Sequence, residues 1–397
     1  MQVFITANSP GELSGWVSPV VRELKARNAS VRVTLVITPC QYASGMEAEF
    51  AQKQPGIDGV TTVKSLLSNL YLHKKTSCAE PHRVLFLGGD TFYAALIAKK
   101  MRAPLFGYVS KVRRVKEFSM FFLPDERTRE ESIKRGALPH QLTVAGHLGL
   151  DSIQINSGRE EILRRLTGSG RESTVVTFLP GSRPAYIEYM LPFLLHSANK
   201  LWEMRPEIYP VVALSPFADR AHILKFLQKE GFKIETGDGF CDILAKSGCR
   251  VRIVYQNQHE VISVSSLAVT IPGTNNLQIA GMHVPMLVVV PLNKAEYIPL
   301  DGLAEFIFPK VYPLGLIKRN LFLAMNRKVK CVSLPNMIAG REIVPEMRGI
   351  LRPAGVATAA ADLLANSGRR EHIAHELAEI TRQRGAAGII AEALLAD

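Results

Sequence analysis

Four short stretches hold the residue types needed for acid–base and phosphate chemistry, each between an apolar run and a helical pattern. Val175 to Leu179 is apolar or β-branched and reads as a buried strand, broken by Pro180-Gly181-Ser182-Arg183. A strand, a small-residue turn and a helix together point backbone N–H groups and the positive end of a helix dipole beyond the strand end. A phosphate suits that place, and the Arg183 guanidinium adds a bidentate partner. An ordinary strand-to-helix turn with an exposed arginine accounts for the same residues. The second stretch, Asn8 to Gly15, carries Glu12 between two glycine-containing turns, as a solvated loop acid or as a functional one. The third, Gly88-Gly89-Asp90, ends a buried strand in an acid, which is either a helix N-cap or a general base. The fourth, Pro272-Gly273-Thr274-Asn275-Asn276, offers close backbone approach, a hydroxyl and amides to a sugar or phosphate; a plain N-cap explains it equally.

The elements that must position these residues alternate along the chain. Val3 to Ala7, Val31 to Ile37, Arg83 to Gly88, Leu105 to Val109, Met120 to Leu123 and Leu142 to Ala145 read as strands. Helices are predicted at Trp16 to Arg27, Ser44 to Lys53 and Phe92 to Met101. A polar, charged connection over 151–172 precedes a second alternation, whose further strands are Tyr209 to Leu214, Val251 to Tyr255, Leu267 to Ile271 and Met286 to Val290. The helical pattern after Arg183 contains Pro192, so a regular helix is expected to start near that proline or kink at it. The tail 354–397 is largely helical, with a glycine break at Gly385 and Gly388. The pattern predicts two open α/β domains of mostly parallel sheet, 1–150 and 173–353. Their strand ends would border an interdomain cleft, where such folds bind ligands.

The chain has 397 residues, enough for two or three domains, and 47% are hydrophobic, enough for full cores. Lys and Arg number 48 against 36 Asp and Glu, a net +12 that favours nucleic acid, an anionic membrane face or a phosphorylated substrate. The five cysteines are scattered without a CxxC pair, which suggests neither zinc nor disulfides and fits a reducing cytosol. No signal peptide is expected, and no apolar run approaches the ~20 residues that span a bilayer. GxxxxGK[ST], GxGxxG, HExxH and GxSxG are all missing, which argues against P-loop hydrolysis, dinucleotide redox chemistry, zinc proteolysis and α/β-hydrolase chemistry.

The motifs, in order, resemble the lipid-A-disaccharide synthase family. They are GELSG at Gly11 to Gly15, FLGGD at Phe86 to Asp90, GYVS at Gly107 to Ser110, GHLGLD at Gly146 to Asp151 and LPGSR at Leu179 to Arg183. Then come PGTNNLQ at Pro272 to Gln278, VPMLVVV at Val284 to Val290 and, most specific, VSLPNMIAGREIVPE at Val332 to Glu346. The resemblance implies a GT-B fold of two Rossmann-like domains. It implies inverting transfer of a diacylglucosamine from a UDP donor to the 6-hydroxyl of an acylated glucosamine 1-phosphate, releasing UDP without a metal or other cofactor. Glu12 then matches the family's essential loop acid, Asp90 the proposed general base and Arg183 the arginine that meets the donor diphosphate. Gly181, Ser182, Gly273, Thr274, Asn275, Asn276, Gln278, Asn336 and Glu346 fall on substrate-binding motifs.

Trp16, Tyr186 and Gln278 replace acids usual in the family, and Lys111-Val112-Arg113-Arg114-Val115-Lys116 replaces an aromatic segment. Two other readings stay open: a relative acting on a soluble UDP-sugar, like UDP-N-acetylglucosamine 2-epimerase, and a non-catalytic lipid or nucleotide binder. Acylated substrates imply peripheral attachment at the inner face of the cell membrane, and no nucleic-acid partner; the oligomeric state is left open. Leu66, Leu67, Leu70, Tyr71 and Leu72 beside His73-Lys74-Lys75 form either a basic amphipathic docking helix or a surface helix packed on its domain.

Overall fold

The computed structural model describes residues 1–39, 47–72, 81–168, 173–182, 184–216, 218–237, 240–293 and 329–396. The chain divides into two compact units, Met1–Ser152 with Gln383–Asp397, and Ile153–Arg382. Among the described residues, no helix is long and apolar enough to cross a membrane.

The first unit is built on β1 (Gln2–Ala7), β2 (Arg32–Ile37), β3 (Gly59–Thr62), β4 (His82–Phe86), β5 (Leu105–Tyr108), β6 (Met120–Leu123) and β7 (Leu142–Val144). Among the described residues these form one parallel sheet in the order β3-β2-β1-β4-β5-β6-β7. Val3, Ile5, Val84, Leu85, Phe121 and Phe122 are fully buried, as expected of strands covered on both faces. The strand β3 was not expected, because Gly-Val-Thr-Thr at a sheet edge carries no apolar run. Leu66 and Leu67 of the helix Val63–Leu72 pack partly buried against this core. The side chains of Leu70, Tyr71 and Leu72, and all of His73-Lys74-Lys75, lie outside the described residues.

The expected loop 8–15 is helical instead: Pro10–Glu12 is one turn and Leu13–Val17 a π-helical turn that runs into Ser18–Arg27. Residues Ser9-Pro10-Gly11-Glu12 explain this. Glu12 N–H donates to Ser9 Oγ at 3.4 Å, and the Glu12 carboxylate accepts from Ser9 N–H at 3.2 Å. That is a reciprocal capping box, with proline at the first helical position.

The second unit carries β8 (Thr174–Leu179), β9 (Ile208–Ala213), β10 (Lys233–Gly237), β11 (Phe240–Leu244), β12 (Arg250–Val254), β13 (Leu267–Thr270), β14 (Met286–Pro291) and β15 (Glu346–Gly349). Among the described residues the sheet order is β10-β11-β12-β9-β8-β13-β14-β15. Only the β10-β11 and β11-β12 pairs in it are antiparallel. The polar β10, the β11 strand that follows it and the short β15 were not expected from the pattern.

The helix Pro184–Met204 runs through Pro192 rather than starting there. An interior proline costs a helix roughly 3 kcal/mol. On both sides of it Ile187, Met190, Leu191, Leu194, Leu195 and Leu201 are buried, at about 1.5–3 kcal/mol each, so packing wins.

Within 151–172, the helix Arg159–Thr167 sends Ile162, Leu163 and Leu166 into the second unit's core. The tail divides. Pro353–Ala365 and Ser367–Ile380 belong to the second unit, and Ala386–Leu395 packs in the first against Ser18–Arg27. The Asp151 carboxylate caps that last helix, accepting from Gly385 N–H at 2.8 Å and Ala387 N–H at 2.7 Å. Removing a cap of this kind costs about 0.5–2 kcal/mol. Asp151→Ala is therefore expected to lower the melting temperature, with Asp151→Asn recovering part of the loss. Equal melting of Asp151→Ala and wild type would show that the terminal helix is held by its apolar face alone.

Candidate active site

In the first sheet the strand order reverses between β1 and β4, and in the second between β8 and β13. Open parallel sheets bind ligands beyond the carboxyl ends of the strands at such reversals. All four of the stretches singled out by residue type follow one of these strands.

At the β1/β4 reversal, Glu12 and the Gly88-Gly89 turn interlock. Glu12 Oε2 accepts from Asn8 N–H at 2.9 Å and Ser9 N–H at 3.2 Å. A Cβ on Gly88 would lie 1.9 Å from that oxygen, so the carboxylate occupies the space of the missing side chain. Gly89 has φ +87°, and a Cβ there would lie 2.1 Å from Thr38 Oγ1. Leu87 N–H and Gly88 N–H both donate to Thr6 O at 3.0 Å, which ties the turn to the end of β1. Burial pushes the Glu12 carboxyl above its usual 4.5; hydrogen bonds from Asn8, Ser9 and Gly89 oppose that rise. Among the described residues the buried hydroxyls of Thr6 in β1 and Thr38 just after β2 have no hydrogen-bond partner.

Asp90 is exposed and caps the helix Thr91–Met101, its Oδ1 accepting from Phe92 N–H at 2.8 Å. Among the described residues its Oδ2 has no hydrogen-bond partner, so the cap engages one oxygen only. The π-helical turn beside Glu12 is a local irregularity of the type that recurs at functional sites. It places Trp16 edge-on to Tyr108, ring centres 5.5 Å apart. Tyr108 Oη donates to Gly146 O at 3.2 Å and accepts from Leu148 N–H at 3.1 Å.

At the β8/β13 reversal, Gly181 has φ +94°, and a Cβ on it would meet Ile271 Cδ1 at 2.7 Å. The turn after β8 therefore lies close against the end of β13. Arg183 lies outside the described residues. Gly273 is exposed with open space around it, and Thr274 starts the helix Asn275–Gly281 without spending its hydroxyl on a cap. Asn276 is fully buried. Its Nδ2 donates to Ile271 O at 2.9 Å and Thr270 Oγ1 at 3.3 Å, and its Oδ1 accepts from Gly273 N–H at 3.3 Å. Asn276 holds the loop shape, while Gly273, Thr274 and Asn275 line its surface.

Gln278 is also buried and hydrogen-bonds the His259 ring. His259 Nδ1 accepts from Gln154 N–H at 3.2 Å, which puts the proton of the neutral ring on Nε2. Burial lowers its pKa below the usual 6.5. Sequence reasoning missed His259, since a histidine on a short helix carries no motif of its own.

The most specific motif closes on itself. Asn336 Oδ1 accepts from Ile343 N–H at 2.7 Å and Val344 N–H at 2.9 Å, while its Nδ2 donates to Val344 O and Glu346 Oε1, both at 2.8 Å. Glu346 also accepts from Val332 N–H, Ser333 N–H and Ser333 Oγ at 2.8–3.1 Å. Those bonds hold its carboxyl below the usual range despite burial.

Comparison with known proteins follows this geometry. The family profile described as lipid-A-disaccharide synthetase matches residues 112–389. Lipid-A-disaccharide synthase of Syntrophus aciditrophicus (strain SB) is 27% identical over 403 residues, covering 97% of this chain and 94% of its own. The enzyme of that name from Pseudomonas putida (strain W619) is 26% identical over 412 residues, covering 97% and 96%. Among solved structures, UDP-GlcNAc 2-epimerase from Neisseria meningitidis, bound to UDP-GlcNAc, matches with a TM-score of 0.61 at 14% identity over 100% of both chains, a likeness of fold.

Two outcomes follow from the Glu12 interlock. Gly88→Ala is expected to destabilise by about 1–3 kcal/mol, because Glu12 must be expelled, whereas Gly273→Ala, with open space, leaves the melting temperature unchanged. Equal melting of the two variants would refute the interlock. A carboxyl with a raised folded-state pKa keeps its proton longer when folded, so its contribution is greatest below 4.5 and is lost as pH rises through the folded value. Glu12→Gln, which keeps an acceptor for Asn8 and Ser9, is expected to melt above wild type at neutral pH and to lose that advantage below about pH 4. A pH-independent difference would mean that Glu12 does not titrate with folding.

Proposed function

The chain belongs to the lipid-A-disaccharide synthase family, and on that premise we propose that it moves an acylated glucosamine from UDP to the 6-hydroxyl of an acylated glucosamine 1-phosphate, with inversion and release of UDP. Membership makes it a glycosyltransferase of lipid A biosynthesis. The observation that carries the finer reading is the coincidence of the family's motif residues with the strand-order reversal of each sheet.

In this reading Asp90 Oδ2 takes the proton of the acceptor hydroxyl as its oxygen attacks the anomeric carbon. The bond from that carbon to the UDP oxygen breaks, and the pair of electrons leaves on the diphosphate. Backbone N–H groups of Gly181 and Ser182, the Thr274 hydroxyl and Arg183 stabilise the departing charge. Glu12, Asn276, Asn336 and Glu346 act as positioning residues, since their polar atoms are engaged by their own loops. The epimerase likeness supports the fold and adds no argument for epimerisation.

The test incubates purified protein with UDP-2,3-diacylglucosamine and its 1-phosphate acceptor and identifies the disaccharide by mass spectrometry. UDP release that needs no acceptor would sink the transfer reading. Asp90→Asn is expected to lower kcat by roughly 10²–10⁴-fold with unchanged UDP affinity. The melting temperature should hold, because asparagine caps a helix as well as aspartate does. Near-normal turnover would leave Asp90 as a cap only. Arg183→Ala is expected to weaken donor binding instead, and unchanged donor kinetics would remove it from the mechanism.

A further inference from the structure

A cavity of about 510 Å³ lies along the helix Thr91–Met101 in the first unit, lined from Phe92 to Ala103. Phe92, Ala95 and Leu96 give it an apolar wall, Lys99, Arg102 and Arg114 give it cations, and Glu117 is the one acid. Phe92 is 46% exposed, unusual for a phenylalanine, and the Arg114 guanidinium stands 5.3 Å from its ring centre. Glu117 pairs with Arg114 at 3.0 Å, and among the described residues Lys99 and Arg102 have no ion-pair partner.

The backbone makes a second, independent observation. Arg102 and Arg114 have φ of +53° and +52°, two of the four non-glycine residues with positive φ among those described. Arg102 ends its helix in the left-handed conformation, where glycine is the usual residue, and Arg114 opens a short 3-10 turn the same way. Both positions carry strain that glycine would relieve, and both side chains line this one cavity. Arg114 belongs to the segment Lys111–Lys116, whose Val112 is buried in the core and whose Val115 packs against it, leaving Lys111, Arg113, Arg114 and Lys116 exposed.

We propose that this cavity is the subsite for the phosphate of the acceptor, a phosphomonoester on an acylated sugar, with Arg102, Arg114 and Lys99 on the phosphate and Phe92, Ala95 and Leu96 against its apolar part. The proposal rests on the transferase reading and names how that site selects its acceptor. Three cations against one acid match a phosphate dianion, and the apolar wall matches the carbon skeleton beside it. Phe92, at one end of the lining, lies two residues from Asp90, so an acceptor whose phosphate meets the cations has its hydroxyl end on the Asp90 side.

The test is calorimetric titration of the full chain, without UDP donor, using short-chain 2,3-diacylglucosamine 1-phosphate and the same compound without phosphate. Wild type is expected to prefer the phosphorylated probe, less so as salt rises. Arg102→Gly/Arg114→Gly is expected to keep or raise the melting temperature, because it relieves two left-handed residues. It should weaken phosphorylated-probe binding roughly tenfold to a hundredfold and leave the other probe within about twofold. Equal affinity of wild type for both probes overturns the proposal, as does an equal loss of both in the variant. A variant that loses binding to phosphatidylglycerol vesicles but keeps its affinity for the acceptor overturns it too, by making the face a membrane contact. Disaccharide formation separates the two ideas. Phosphate-dependent binding without transfer fails the transferase reading alone, and transfer with unchanged acceptor KM in the variant fails the subsite alone.

Discussion

A half-buried carboxylate in the space of a missing side chain holds the first unit's candidate site together. Glu12 takes the volume that a Cβ on Gly88 would fill, and accepts N–H bonds from Asn8 and Ser9. Burying a charge is costly unless hydrogen bonds offset it, so these donors cannot drift away without leaving the carboxylate unsatisfied. The loop after β1 and the turn after β4 are therefore set by one shared contact. Asp90 follows that turn directly, and its own capping bond to Phe92 then orients the carboxylate.

The second unit reaches the same end with amides. Asn276 ties its loop to the last residues of β13, and Asn336 with Glu346 closes the segment between Val332 and Glu346. The most distinctive block of the sequence is thus a hydrogen-bonded knot whose polar groups satisfy one another. Its side chains give the block its shape. Gly181, Ser182, Gly273, Thr274 and Asn275 are instead exposed or half-buried, and in the proposed reading they are the groups that meet the donor.

The positive net charge also finds a place. Within Lys111 to Lys116 the valines anchor the segment: Val112 is 4% exposed while the lysines and arginines around it are exposed. Trp16 is likewise packed, its indole edge-on to the Tyr108 ring.

Apolar runs, period and motif order are local properties, so the alternation of strands and helices, two mostly parallel sheets and the placement of the four stretches at strand ends could all be read directly from the chain. Ser9-Pro10-Gly11-Glu12 was equally readable, because a capping box is a spacing rule, and its helical turn stands where a loop was expected. The short polar strands β3 and β10 were not, since an edge strand owes its place to a neighbour rather than to its own composition. Only the tertiary structure decided which polar atoms are spent. Asn276, Asn336 and Glu346 look like ligand-binding residues in a Gly- and Pro-rich motif, and a polar side chain has the same letter whether it faces a substrate or its own backbone. The difference is made by partners that folding brings together, Gly88 under Glu12 and Thr38 beside Gly89, whose separation along the chain hides them from any local pattern.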